Sequence, residues 1–294
     1  MTEALEPATL AAYKSTLKHY ELFCRKQGTP AWPAKIDIIE DCSTWLMYSG
    51  TPSIVANLWS AIKFEQTNRG HGTLIKSDVL KKLHVKALKL AADSARPLRD
   101  PIPVEAIVQF CNSGSEHDPL FVTKAAIVTV GCRALLRYNE LANLKMKDIL
   151  FVSGQLRLEL GTRKNKLQRA APIFIDRSLN DTHSCPVEWM ERHIAMRKQQ
   201  RAGPMDFVFP SKYGKILSYN VISEYLQEVA RFADAEHLLI STHSMRITGA
   251  VMMMMAGFDN LKIQIMGDWK SQIFLRYLRT IGIAAEHATT RMGL

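Results

Sequence analysis

Four stretches in the first 94 residues repeat their apolar side chains with the period of an α-helix, and glycine or proline interrupts the chain between them. They are PATLAAYKSTLKHYELFCRKQ, IDIIEDCSTWLMYS, PSIVANLWSAIKFEQTNR and SDVLKKLHVKALKLAAD, with breaks at Gly28-Thr29-Pro30, Gly50-Thr51-Pro52 and Gly70-His71-Gly72. Leu10, Tyr13, Leu17 and Tyr20 show the spacing, which gathers them on one helical face. The pattern predicts a small helical domain. It is followed by ARPLRDPIP, residues 95 to 103, whose three prolines disfavour helix and whose two arginines make the segment basic. A domain boundary is expected there, with a helical domain over 1–98 and a second domain over 99–294.

The second domain begins with helical patterns at 103–113 and 120–134. Residues 156–175, LRLELGTRKNKLQRAAPIFI, instead alternate apolar and polar side chains on both sides of a Gly/Lys/Asn-rich centre, which predicts a β-hairpin with a basic tip. CPVEWMERHIAMRKQQR reads as an amphipathic helix, and DFVFPSKYGKILSYNVISEYLQEVARFADA as a short strand, a turn and a further helix. On that last helix Val221, Tyr225, Val229 and Phe232 form a stripe expected to face the core. The fold class is therefore mainly α with a small β-hairpin or sheet (α+β).

A net charge of +10 and a pI near 9.4 point to a polyanionic partner. Lys14, Lys18, Lys63, Lys81, Lys82 and Lys86 supply part of that charge in the helical domain. No apolar run approaches the roughly 20 residues a membrane span needs, and the N-terminus MTEALEPATL lacks a basic and then apolar signal, so an intracellular protein without membrane partners is expected. Cys24, Cys42, Cys111, Cys132 and Cys185 are odd in number and never paired as C-x-x-C, which indicates neither a disulfide framework nor a zinc module. His183, His193 and His237 have no ligand-like spacing, and Met252 to Met255 read as adaptable core filling.

Residues 241–280, STHSMRITGAVMMMMAGFDNLKIQIMGDWKSQIFLRYLRT, carry polar and aromatic residues that a plain core helix does not require. Ser241 or Thr242 suits the N-cap of a helix that Gly257 would end. His243 and Arg246, three apart, then share a face near the positive helix N-terminus, where both can donate to an anion such as a phosphodiester. GDWKSQIFLRYLR reads as a Gly turn followed by a helix bearing Ile273, Phe274, Tyr277 and Leu278, a spacing that alone would make Tyr277 a core residue. Arg137 and Glu140, in RALLRYNELANLKMKDI, would alone be an ordinary i,i+3 ion pair.

Taken together, the HxxR helix, the GxWxSxxxxxYxR segment and the ungapped RxxELxxLxxxDI run from Arg137 to Ile149 resemble the tyrosine recombinase (phage integrase) family. The wording around Trp269-Lys270-Ser271 is most similar to its eukaryotic mobile-element branches, DIRS-like and crypton recombinases. The resemblance covers roughly residues 100–280 and implies an N-terminal core-binding domain that clamps DNA with a catalytic domain. It implies a site-specific recombinase that cuts and rejoins double-stranded DNA through a 3′-phosphotyrosyl bond on Tyr277, with no metal, ATP or other cofactor. Arg137 and Arg246 would bind the scissile phosphate, His243 would assist at the nucleophile and Glu140 would hold Arg137. Arg133, one turn earlier, lacks the Glu and Asp at the expected distances.

The family's catalytic lysine, eight residues before the proline that here is Pro172, would be Lys164, with Lys166 open as the alternative. Arg163, Lys166, Arg169, Lys81 and Lys82 are DNA-contact candidates. Trp269 would occupy the place where relatives carry His or Trp, although relatives commonly have that residue nine before the tyrosine, where this chain has Asp268. A homo-tetramer on two duplexes, located in the nucleus if the host is eukaryotic, is implied as well. The alternatives are a catalytically silent DNA-binding or regulatory protein derived from such an element, and a type IB-like topoisomerase.

Overall fold

The computed structural model describes residues 5–93, 98–161, 171–178, 183–269 and 274–275. The chain divides into two compact units, Met1–Arg96 and Pro97–Leu294. Among its described residues the first holds four helices, α1 (Pro7–Lys26), α2 (Ile36–Tyr48), α3 (Pro52–Asn68) and α4 (Asp78–Asp93). Pro7 and Pro52 stand in the first turns of α1 and α3, where their missing N–H costs nothing and their fixed φ is already helical. Tyr20, Ile39, Leu46, Leu58 and Ile62 are fully buried between the helices. Gln66, a long polar side chain buried there, accepts from the Ala34 N–H at 2.9 Å. On α4, Leu80 and Ala87 face this core while Lys81, Lys82, Val85, Lys86 and Lys89 line an open hollow on the outside.

The second unit runs α5 (Val104–Ser113), α6 (Pro119–Arg133), α7 (Tyr138–Ala142), β1 (Ile149–Val152), β2 (Gln155–Leu158), β3 (Ile173–Ile175), α8 (Pro186–Gln199), α9 (Tyr219–Ala230), α10 (Thr242–Met255) and α11 (Asn260–Gly267). Helix α6 is buried from Phe121 to Cys132 except at Thr123 and Lys124, and packs against α8 and α10. The sheet is antiparallel in the order β1-β2-β3. Leu156 pairs with Ile175 and Leu158 with Ile173, so the alternation that predicted the hairpin puts these four on the buried face and Phe174 on the exposed one. Mainly α with one small sheet is thus the observed fold class.

Three local expectations are corrected. Strand β1 is additional: of Ile149 to Val152 only Ile149 is buried, so no alternation announces it. It turns into β2 through Ser153 and Gly154, both at positive φ (51° and 80°), as a tight hairpin turn of the primed type needs. The strand expected in DFVFPS does not form, since Phe207 makes a single bridge to Lys145 and Pro210 a single bridge to Ile216. Pro210 has no N–H to extend a ladder. On α9 the buried face is Ile222, Leu226, Val229 and Ala230, one position round from the expected stripe; Val221 and Tyr225 are only partly buried and Phe232 is exposed.

Candidate active site

The site is built where the ends of α6, α10 and α11 meet. After α6 the chain reverses through Leu135, a buried residue at φ 50°, and Arg137 becomes the N-cap of α7. A β-carbon makes that left-handed conformation costly for leucine, so the surrounding packing must hold it. Ser241 caps α10: its hydroxyl accepts from the His243 N–H at 3.3 Å, and its own N–H donates to the Ser244 hydroxyl at 3.0 Å. Helix α10 crosses the end of α6 so closely that a β-carbon on Gly249 would lie 2.2 Å from the Cys132 carbonyl oxygen. Helix α11 ends in a turn at Asp268, φ 51°, fastened by Trp269 N–H to the Gln264 carbonyl at 3.1 Å and by the Gln264 amide to the Trp269 carbonyl at 3.1 Å.

The sequence reading placed that turn on Gly267, but the left-handed residue is Asp268. Gly267 serves otherwise: the Trp269 ring lies where its side chain would be, 1.9 Å from an added β-carbon.

These turns gather two arginines separated by more than a hundred residues. The Arg246 guanidinium is buried and donates through Nη1 to the Leu135 carbonyl at 2.6 Å and through Nη2 to the Gly267 carbonyl. It sits 4.5 Å from the centroid of the Trp269 ring, which in turn stacks on Phe274. Arg137 is about one third exposed and donates through Nη1 to Glu140 Oε1 at 2.7 Å and through Nη2 to the Asp268 carbonyl at 3.2 Å. Glu140 also accepts from the Arg137 backbone N–H at 2.8 Å, and the Asp268 carboxylate lies 3.8 Å from Nη1. The arginines therefore hang from the carbonyls of consecutive residues, Gly267 and Asp268. His243 is half-buried beside them, and its pKa is depressed first by burial and then by the charges of Arg246, Arg137 and Arg99. Its neutral form is favoured.

Arg137, Glu140, His243, Arg246 and Trp269 are thus brought to one place. The sequence reading missed the anchors: Leu135 and the backbone of Gly267 and Asp268 had no signal beyond their position beside motif residues. Tyr277, Lys164, Lys166, Arg163 and Arg169 lie outside the described residues. Lys81 and Lys82 are exposed on α4, where Lys81 pairs with Asp78 at 2.7 Å. His193, by contrast, is a packing residue, buried with Nε2 2.7 Å from the Val208 carbonyl and its ring stacked on Phe209. No described helix is long and apolar enough to cross a membrane.

A mainly helical unit with a small three-stranded sheet matches the fold of the integrase catalytic domain. Residues 100–279 match the family model described as Phage integrase family, more than half the chain, and the protein belongs to that family. The tyrosine recombinase XerC of Vibrio atlanticus (strain LGP32) is 27% identical over 152 residues, a match that spans 51% of this chain and only 44% of that relative. Among solved structures, the Tn1549 transposon integrase in complex with transposon right end DNA superposes with a TM-score of 0.60 at 14% identity, covering 96% of this chain and 95% of that one. A lambda integrase tetramer bound to a Holliday junction gives 0.55 at 16% identity, covering 93% and 72%. At these identities the two structures are evidence of a shared fold.

Proposed function

We propose that this chain is a site-specific DNA recombinase that cuts and rejoins double-stranded DNA through a 3′-phosphotyrosyl intermediate on Tyr277. The observation that carries the reading is the attachment of Arg137 and Arg246 to adjacent carbonyls at the Asp268 turn, with His243 beside them. Two planar guanidiniums held in register suit the nonbridging oxygens of a phosphoryl transition state, where negative charge collects. Tyr277 lies eight residues beyond Trp269 in sequence. Its phenol oxygen attacks the scissile phosphorus, and the bond to the 5′ oxygen breaks. His243, favoured in its neutral form, handles the phenol proton, and Lys164 on the hairpin, or Lys166 in its place, protonates the departing 5′ oxygen. A 5′-hydroxyl from another strand then reverses the step, so the linkage is conserved without ATP or metal. Trp269 acts through Arg246 as a positioning residue.

Each chain supplies one tyrosine and strand exchange between two duplexes needs four cuts, which supports a tetramer on two duplexes. Residues 1–98 would be the core-binding clamp, with Lys81 and Lys82 among its DNA contacts, and Arg163, Lys166 and Arg169 would add contacts from the hairpin. The Trp269-Lys270-Ser271 wording supports a place among eukaryotic mobile-element recombinases, hence action on DNA inside the cell, in the nucleus of such a host.

The test is covalent capture: wild-type protein is incubated with random-sequence duplexes and the DNA bound through protein is sequenced. Tyr277→Phe should bind DNA and form no adduct. An adduct of normal yield in that variant would remove the nucleophile assignment, and binding without any adduct by the wild type would leave a silent DNA-binding protein.

A further inference from the structure

Arg99 is half-buried and has no hydrogen bond or ion pair among the described residues. Its place is fixed through its neighbour: the Asp100 N–H donates to the Leu239 carbonyl at 3.3 Å, and the Asp100 carboxylate accepts from the Leu239 N–H at 2.8 Å. Three residues further on, the Ile102 N–H donates to the Thr248 hydroxyl at 2.7 Å. The segment is thereby laced to α10 and to the residues that lead into its N-cap. The charge of Arg99 bears on His243, after burial and the charges of Arg246 and Arg137, and helps to lower its pKa. Unlike Arg137, it has no described carboxylate paired with it.

Tyr219 stands at the start of α9, with its ring edge-on to Tyr138, the residue after Arg137, at 5.6 Å between centroids. Tyr138 is itself fixed by donating to the Leu217 carbonyl at 2.9 Å. Tyr219 is 42% exposed. Burial raises the Tyr219 phenol, but the adjacent Ser241 and Thr242 hydroxyls and the Arg99 charge outweigh it and lower the pKa overall. A phenol shifted in that direction is a better hydrogen-bond donor. The Arg99 charge thus bears on both His243 and Tyr219, and the cluster offers an anion a cation with no described partner and the phenol of a partly exposed tyrosine.

We propose that Arg99 and the Tyr219 hydroxyl form a second phosphate subsite, holding the backbone phosphate next to the one that is cut. The inference rests on the recombinase reading, because it takes the Arg137–His243–Arg246 group as the seat of the scissile phosphate. A DNA strand carries a phosphate at every nucleotide, so a surface that grips one meets its neighbours, and arginine and tyrosine are among the side chains that contact them. Gripping the adjoining phosphate fixes the direction of the strand across His243, which a single phosphate contact leaves free to rotate. Arg99 and Tyr219 are accordingly positioning residues for the strand.

The experiment uses a duplex recovered by covalent capture, with single uncharged methylphosphonates placed in turn at the phosphates flanking the cut. Wild-type cleavage should fall about 10-fold at one flanking position, the scale of one charge-assisted contact. Arg99→Ala should lose a similar factor on normal DNA and be indifferent to that methylphosphonate, Arg99→Lys should recover part of the rate, and Tyr219→Phe should lose severalfold with the Tyr138 stack retained. An Arg99→Ala variant that keeps the wild-type methylphosphonate profile overturns the subsite. On random-sequence duplex, the slope of log affinity against log salt should drop by about one for Arg99→Ala. An unchanged slope overturns the subsite even if no duplex is ever captured, whereas failure of capture with a reduced slope sinks the recombinase chemistry and leaves the phosphate contact standing.

Discussion

The Arg246 guanidinium is stacked against Trp269 while it donates to the carbonyl of Gly267, two residues earlier in the same turn. A buried cation needs donors satisfied and charge compensated. Here backbone carbonyls do the first and the aromatic face contributes to the second. The acceptors are unusual: Leu135, which takes Nη1, and Asp268, whose carbonyl takes Arg137, both have φ near 50°. The backbone is bent locally to aim carbonyls at arginines, and strain of that kind is kept only where surrounding structure maintains it.

Trp269→Ala should therefore act through Arg246. Loss of the stacked ring should slow covalent adduct formation by about tenfold, the scale of a desolvated cation–π contact, with little change in DNA affinity. Gly267→Ala should reproduce the defect with Trp269 still present, because its β-carbon would meet the indole at 1.9 Å and displace it. A Gly267→Ala variant with wild-type cleavage would show that ring placement does not matter.

Arg137→Ala should lose about 100-fold or more in cleavage, on the scale of removing one preorganised transition-state donor. Duplex affinity should fall far less, since it is spread over many phosphates. Glu140→Gln keeps the hydrogen-bonding shape but removes the charge that orients Arg137, so its loss should be smaller than that of Arg137→Ala. Rates are to be measured in EDTA, where wild-type activity should persist; strict magnesium dependence would contradict a site run by guanidiniums, a lysine and a histidine.

Much of this site was legible in the chain because its side chains stand in rigid spacings. His243 and Arg246 are one helical turn apart on α10, and Arg137 and Glu140 form the first turn of α7. The hairpin was legible for the same reason: Leu156, Leu158, Ile173 and Ile175 alternate because one sheet face is buried. What sequence could not give were contacts made through backbone. Nothing in a leucine codon announces that the Leu135 carbonyl will receive an arginine, and Gly267 looks like a turn residue although its hydrogen is needed under an indole. Strand β1 escaped because three of its four side chains are exposed, which erases the period-2 signal.

Acid should destabilise the second unit through His193. Burial is the main cause that pushes its pKa from 6.5 to about 4, opposed by its hydrogen bond to Val208 and assisted by the Arg197 charge. Above pH 6.5 the ring is neutral in folded and unfolded chains alike, so no stability depends on it. Below that the unfolded chain takes up a proton that the folded one resists, and stability falls progressively toward pH 4, in total by on the order of 3 kcal/mol. Urea midpoints measured between pH 7 and 4 should show the fall, and His193→Gln, which can still donate to the Val208 carbonyl, should flatten it. An equally steep fall in that variant would assign the acid lability elsewhere.

The crossing of α6 and α10 offers a matched pair of glycine substitutions. A β-carbon on Gly131 would meet the Met245 sulfur at 2.3 Å, and a thioether can rotate away. On Gly249 it would meet the Cys132 carbonyl oxygen at 2.2 Å and the Leu135 side chain at 2.8 Å. The carbonyl belongs to α6 and cannot move alone, so α10 must shift away from the reversal that holds Leu135. Arg246 rides on α10 one turn earlier and would be drawn from the Leu135 carbonyl. Gly249→Ala should thus cost about 1–3 kcal/mol of stability, as overpacking does, and also lower the cleavage rate of the molecules that remain folded. Gly131→Ala should cost less than Gly249→Ala and leave the rate per folded molecule near wild type. Urea unfolding and adduct formation on the same preparations separate the two effects, and equal losses for both variants would mean that the close approach of α10 to α6 does not set the position of Arg246.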